Sequence, residues 1–145
     1  MILPDVNTLV YAFRRNTEHF EDYAGWLNAT VAGTEPILLP DVVLTGFLRV
    51  VTNRRIFTDP APAPAALAFV EALRASPVGR ALSPTDAAWR QLARFISNDP
   101  YIVGNLVPDA WIAALAVTSG ARVATADAGF ARFEGLMWFN PVRDR

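Results

Sequence analysis

Three acids have flanking sequence that could bring them together for chemistry: Asp5 in "MILPDVNTLVYAF", and Asp109 and Asp127 in "LVPDAWIAALAVTSGARVATADAGF". Asp5 and Asp127 each come directly after a short apolar run that reads as a strand, and Asp109 stands at the start of an apolar helical run. Carboxylates that converge in one cleft repel one another unless a cation neutralises them or they take up protons. Mg²⁺ and Mn²⁺ suit such a cluster because both prefer oxygen ligands, and Mg²⁺ takes few carboxylates directly while keeping several waters. Those waters leave room for a phosphate and a nucleophile, the requirements of phosphodiester hydrolysis. That chemistry needs no Cys, Lys or His.

A plainer reading stands beside this one. Asp is a preferred helix cap, so Asp5 ahead of "VNTLV" and Asp109 ahead of "AWIAAL" could each do no more than satisfy backbone N–H groups. Asp127 could be a turn residue of "TADAG". Other acids are weaker candidates: Glu18, Glu21, Asp22, Glu71, Asp86 and Glu134 fall on or beside expected surface helices, while Asp59 and Asp99 precede proline and read as turns. His19, the only histidine, lies among solvent-facing neighbours in "NTEHFEDY", which leaves a Ser-His-Asp triad with little support.

Composition narrows the classes. At 145 residues the chain is expected to be a single domain spanning 1–145. Hydrophobic residues make up 52% and charged residues 19%, with mean hydropathy +0.23, so some apolar surface is expected to meet a partner. No apolar run reaches the roughly 18 residues of a membrane span, and the amino-terminal segment carries an acid where a signal peptide needs positive charge; the expectation is a cytoplasmic protein. There is no Cys, which removes disulfides, thiolate zinc ligands and thiol nucleophiles. All 13 basic residues are Arg, which removes Schiff-base chemistry and the P-loop lysine. With a net charge of −1, nucleic acid could be held only by a local basic patch.

The elements that must position the acids alternate along the chain. "MIL" reads as a strand, "NTLVYAF" as a helix, and a second helix runs from Phe20 to a stop near Gly33. "PILLP" reads as a buried strand and "DVVLTGFLRVVTN" as a helix opening near Asp41. The proline-rich "RRIFTDPAPAP" reads as a connection before the helix "AALAFVEALRAS". "GRALSP" is a further strand step, "TDAAWRQLARFI" a helix and "SNDPYIVGNLVP" a loop. The helix "DAWIAALAVTS" ends at Gly120, and "ARVATA" and "LMWF" are the last strands. Such alternation predicts an α/β fold with a central, mostly parallel sheet covered on both faces. Sites in such sheets form at the carboxyl ends of strands, where Asp5 and Asp127 would sit at one edge.

The segments "MILPDVNTLVYAF", "GFLRVVTNRRIF" and "LVPDAWIAALAVTSGARVATADAGFARFEGLMWFNP" together resemble a PIN-domain ribonuclease of the VapC toxin type, in the family's order and over essentially the whole chain. The resemblance implies a PIN-like α/β/α sandwich and Mg²⁺- or Mn²⁺-dependent endoribonuclease cleavage of structured RNA such as tRNA or ribosomal RNA. It also implies a small cognate antitoxin of the VapB type that blocks the site. Carried over by position, Asp5, Asp109 and Asp127 match the family's acids as metal ligands and catalytic groups, and Thr125 matches a hydroxyl residue beside the acidic pocket. Asn7 and Asn105 are candidates to orient a carboxylate or water, with local backbone capping the alternative. Gly46 stands where the family commonly has a Glu, so that three acids hold the metal, or Asp41 a turn earlier takes part, or the enzyme is weaker than its relatives. Gly129 stands where the family often has a further Asp.

Arg14, Arg15, Arg49, Arg54, Arg55 and Arg132 could border the site and hold an RNA backbone bidentately. Phe57, Tyr101 and Trp111 could stack on unpaired bases or belong to ordinary packing. The apolar excess suits a homodimer and an antitoxin that lays an amphipathic segment into a groove. Two other classes compete. One is a catalytically weak or silent RNA- or protein-binding module on the same fold, favoured by Gly46. The other is a phosphoaspartate receiver or haloacid-dehalogenase-type phosphatase, which the absence of Lys opposes.

Overall fold

A computed structural model describes residues 1–144. Five strands form one sheet: β1 (Ile2–Pro4), β2 (Ile37–Pro40), β3 (Gly79–Leu82), β4 (Arg122–Ala124) and β5 (Met137–Phe139). Six α-helices connect them: α1 (Val6–Phe13), α2 (Phe20–Val31), α3 (Asp41–Val51), α4 (Ala63–Ala75), α5 (Asp86–Asn98) and α6 (Leu106–Ser119). A short 3₁₀ helix, Ala128–Arg132, lies between β4 and β5.

The strand order is β3-β2-β1-β4-β5 and every pairing is parallel. The expected α/β class with a parallel sheet is therefore the one observed. From β1 the chain steps outward through β2 and β3, then crosses back to the other side of β1 for β4 and β5. Right-handed crossovers then place α1 to α4 on one face and α5 with α6 on the other. The reversal falls between β1 and β4, the place where an open parallel sheet leaves a crevice at its carboxyl edge.

The central strands are apolar because both of their faces are covered: Leu3, Ile37, Leu39 and Val123 are all buried. On the α1 side Phe13 meets Phe47 edge-on at 5.3 Å, which joins the first and third helices over the sheet. On the other side Ala110, Ala113, Ala114 and Ala116 let α6 lie close to the sheet. A helix so apolar along its length belongs in the interior.

One boundary differs from the expectation. The segment "SNDPYIVGNLVP" does not stay a loop to its end, because α6 opens at Leu106, ahead of Asp109. Pro108 then falls in the first turn, where its missing N–H would have had no intrahelical partner.

Candidate active site

Asp5 ends β1 and caps α1. Its Oδ1 accepts the N–H of Thr8 at 2.8 Å, so the capping role read for it is real. The other oxygen, Oδ2, accepts from the Thr125 hydroxyl at 2.5 Å, at the carboxyl end of β4. Thr125 is fully buried, and its Oγ1 also accepts the N–H of Asp127 at 3.0 Å. One hydroxyl thus ties the acid after β1 to the acid after β4. The Thr8 hydroxyl donates to the Ala124 carbonyl at 2.8 Å and pins α1 to the same strand end. Sequence reasoning did not single out Thr8, and no local signal could have, because its hydroxyl bonds a carbonyl 116 positions away while only its backbone N–H serves the Asp5 cap.

Asp127 caps the 3₁₀ helix, its Oδ1 accepting the Gly129 N–H at 2.7 Å. A Cβ at position 129 would come within 2.9 Å of that same oxygen, so a side chain there would make the Asp127 carboxylate shift. Asp109 behaves differently from the cap considered for it. It lies one turn inside α6, whose N-cap is Asn105, and its carboxylate takes no hydrogen bond among the described residues.

These acids line one cleft of about 550 Å³ at the β1/β4 crevice. Asp5, Asn7, Asn105, Asp109 and Asp127 open onto it, with Val42, Thr45, Gly46 and Arg49 of α3 forming the facing wall. Asn105 makes no capping bond with its side chain, which leaves the amide to the cleft rather than to the backbone. Thr125 stands behind Asp5 and not at the surface. Burial holds the Asp5 carboxyl above its ordinary range, partly offset by the hydrogen bonds from Thr125 and Thr8, and Asp127 pushes it further up. Asp109 is pushed up to about 6, first by burial and then by the charges of Asp127 and Asp5, with Arg132 opposing. The acids therefore sense one another through a partly desolvated cleft.

Among the described residues no three His, Cys, Asp or Glu side chains come together closely enough to enclose a metal ion. The acids share a cleft without forming a closed cage. Mg²⁺, which needs few direct carboxylates and keeps its own waters, is compatible with such an open set. The mutual repulsion of unpaired carboxylates is the feature a cation would relieve.

Other candidates lie elsewhere. Asp41 is exposed at the start of α3 and does not line the cleft. Arg14 is buried, its guanidinium 3.9 Å above the Phe57 ring and its Nε donating to Asn16, so it packs the α1 terminus and Phe57 is already covered. Arg15, Arg54 and Arg55 are exposed outside the cleft. Trp111 stacks on Trp89 at 4.8 Å, and Tyr101 is 76% exposed. His19 sits in the left-handed region at φ 63°, exposed beside Glu18 and Asp22.

Gly46 faces Val6 across the cleft wall. A Cβ there would meet Val6 Cγ2 at 2.9 Å, so Val6 occupies the space that a Glu at position 46 would need to enter.

A parallel five-stranded sheet with paired acids at its switch point is the architecture of a PIN domain, and the PIN-domain model matches residues 2–136. The chain belongs to the PIN-domain family, as its resemblance in sequence implied. It is 43% identical over 142 residues to ribonuclease VapC43 of Mycobacterium tuberculosis, covering 98% of this chain and 96% of that one. To ribonuclease VapC25 of the same organism it is 36% identical, covering 97% and 99%. Its fold is similar to that of VapBC2 from Rickettsia felis, solved bound to a promoter DNA fragment, with TM-score 0.71, 17% identity and coverage of 97% and 98%. VapC20 of M. tuberculosis, described as a sarcin-ricin loop cleaving toxin, matches at TM-score 0.65 and 15% identity over 94% and 99%.

Proposed function

We propose that this chain, as a single PIN domain spanning 1–145, is the toxin of a toxin–antitoxin pair and an endoribonuclease that hydrolyses RNA phosphodiester bonds with Mg²⁺ or Mn²⁺. The observation that carries the reading is the convergence of Asp5, Asp109 and Asp127 in one cleft at the β1/β4 switch point, with Asp5 and Asp109 both resisting ionisation. The relatives' names supply the class of substrate, and tRNA or ribosomal RNA is the target expected.

A divalent cation held by these carboxylates would supply charge neutralisation and a more acidic bound water. Asp5, Asp109 and Asp127 are the residues that would hold it, Asp127 from the exposed side of the cleft. Thr125 fixes the rotamer of Asp5 and the backbone of Asp127 at once, and Thr8 locks the strand end beneath them. Asn7 and Asn105 present amides that can orient water or ribose without adding charge. Arg49 on the facing wall is the cationic side chain lining the cleft, placed to hold a phosphate across from the acids.

A VapB-type antitoxin and a homodimer fit the exposed apolar surface. A groove of about 460 Å³ lined by Leu48, Thr52, Ala63, Pro64 and Leu67 adjoins the cleft at Arg49 and suits an amphipathic segment. The exposed Trp89 on Trp111 is a second apolar face, suited to self-association. No helix among the described residues is long and apolar enough to cross a membrane, and the cytoplasm is the compartment that suits an RNA target.

Gly46 and Val6 favour a second reading, a PIN fold that binds RNA without cutting it. Cleavage of total RNA by antitoxin-free protein separates the two. Products that require Mg²⁺ or Mn²⁺, vanish with EDTA and are lost in Asp5→Asn and Asp109→Asn support the nuclease. Intact RNA under every condition, from protein shown to be folded, supports the silent module.

A further inference from the structure

Beside the acidic cleft lies a second one, of about 340 Å³, between the end of α5 and the short 3₁₀ helix. Arg94, Arg132, Gln91 and Asn98 line it, together with Asp99 and Glu134. Its floor is closed by Phe95 against Phe133 at 5.1 Å, both buried, so the polar side chains stand on a rigid base. We propose that this cleft is a second phosphate subsite, holding a backbone phosphate of the RNA next to the one being cut.

The arginines carry the argument. Among the described residues neither Arg94 nor Arg132 makes an ion pair, although two acids line the same cleft. Asp99 is instead turned to the Tyr101 N–H at 2.9 Å. Arg94 is steadied by Gln91, Nη1 donating to Oε1 at 3.2 Å, with its remaining donors uncommitted to protein. Two guanidinium groups on separate elements above a fixed floor can share one phosphate through several charge-assisted bonds.

Position decides which phosphate. Asp127 and Arg132 stand at opposite ends of the 3₁₀ helix, roughly 10 Å apart at about 2 Å of rise per residue. Arg132 lines the second cleft and not the acidic one, yet lies within electrostatic reach of Asp109, which places the second cleft near the acids. A strand whose scissile phosphate sits at the acids would therefore pass over Arg132 and present a neighbouring phosphate to the second cleft. The inference rests on the nuclease reading for its ligand, and on the cleft alone for its chemistry.

The test has two arms. Inorganic phosphate is titrated into ¹⁵N-labelled protein while the arginine Nε–H signals are followed, assigned with Arg94→Gln and Arg132→Gln. Saturable shifts of Arg94 and Arg132, with Arg15 and Arg90 unmoved, are expected; shifts no larger than those of Arg15 and Arg90 overturn the subsite. In the second arm a fluorescein-labelled mixed-sequence RNA 12-mer is bound to Asp109→Asn protein, which keeps the RNA intact. Adding Arg94→Gln should weaken binding ~5–10-fold and flatten the salt dependence by about 0.7 in log–log slope, the loss of a single phosphate contact. Unchanged affinity and slope overturn an RNA role even where free phosphate binds. Failure of the wild type to cut total RNA would count against the nuclease reading instead, and the phosphate arm would still decide the cleft.

Discussion

Replacing Asp109 with Asn should make the metal-free protein more stable while abolishing its activity. The carboxyl of Asp109 is pushed from 3.8 to about 6 by burial and by Asp127 and Asp5, so the folded state disfavours its ionised form. An acid raised in this way contributes stability that is present below its unfolded pKa and is lost as pH rises through its folded one. Between about pH 4 and 6 the native protein binds more protons than the unfolded chain, and above that window the penalty is constant. At about 1.4 kcal/mol per pH unit the displacement corresponds to about 3 kcal/mol. Asp109 is only half-buried, and solvent screening cuts that to roughly 1–2 kcal/mol.

Asn removes the charge at almost the same shape, and the carboxylate it replaces accepts no hydrogen bond. The gain should therefore show almost in full. Urea denaturation in EDTA should find Asp109→Asn more stable than wild type by roughly 1–2 kcal/mol near pH 7.5, and unchanged near pH 4. In thermal scans the same gain is roughly 2–4 °C per kcal/mol for a chain near this size. A gain equal at both values of pH would show that packing and not charge was responsible. No gain at either would refute the claim that the cleft stores repulsion.

Other outcomes follow from the same geometry. Divalent-ion binding, followed by thermal shift with Mn²⁺, should strengthen as pH rises through about 6 and Asp109 loses its proton, and this pH dependence should be reduced but not abolished in Asp109→Asn, because the raised Asp5 carboxyl still titrates. Thr125→Val keeps the shape but leaves a buried Asp5 oxygen and the Asp127 N–H without a partner, at a cost of roughly 1–3 kcal/mol. Because Thr125 lowers the Asp5 pKa, that cost should be smaller in denaturation measured near pH 4 than near pH 7.5. Gly46→Ala should destabilise through its contact with Val6, and by less in a Val6→Ala background; equal costs in a double-mutant cycle would mean the two side chains do not compete. Arg14→Ala should lose about 1 kcal/mol of stability through its contact with Phe57, whereas Arg49→Ala should leave stability unchanged and weaken RNA binding as measured by anisotropy.

Much of this was legible from the chain alone. Parallel topology follows from apolar runs too continuous for a half-exposed sheet, each followed by a helical period, and β1, β2 and β4 are such runs. Asp5 and Asp127 could be placed at a common edge because both follow strands, and the side on which strands end is a matter of chain direction. Asp109 was harder: α6 opens at Leu106 with Pro108 in its first turn, earlier than the sequence suggested, which converted an apparent cap into a free carboxylate.

What only tertiary structure decided were contacts between residues far apart in the chain. The hydroxyl of Thr125 reaches Asp5 across 120 positions, and Val6 fills the space above Gly46 on another helix. Arg14 and Arg49 look alike as surface cations in sequence, yet one packs on an aromatic ring and the other lines the cleft. Local pattern reports period and chain direction, because these depend on neighbours in sequence. Which side chain stands at 3 Å from which other depends on how whole helices settle on the sheet, and that is decided by packing.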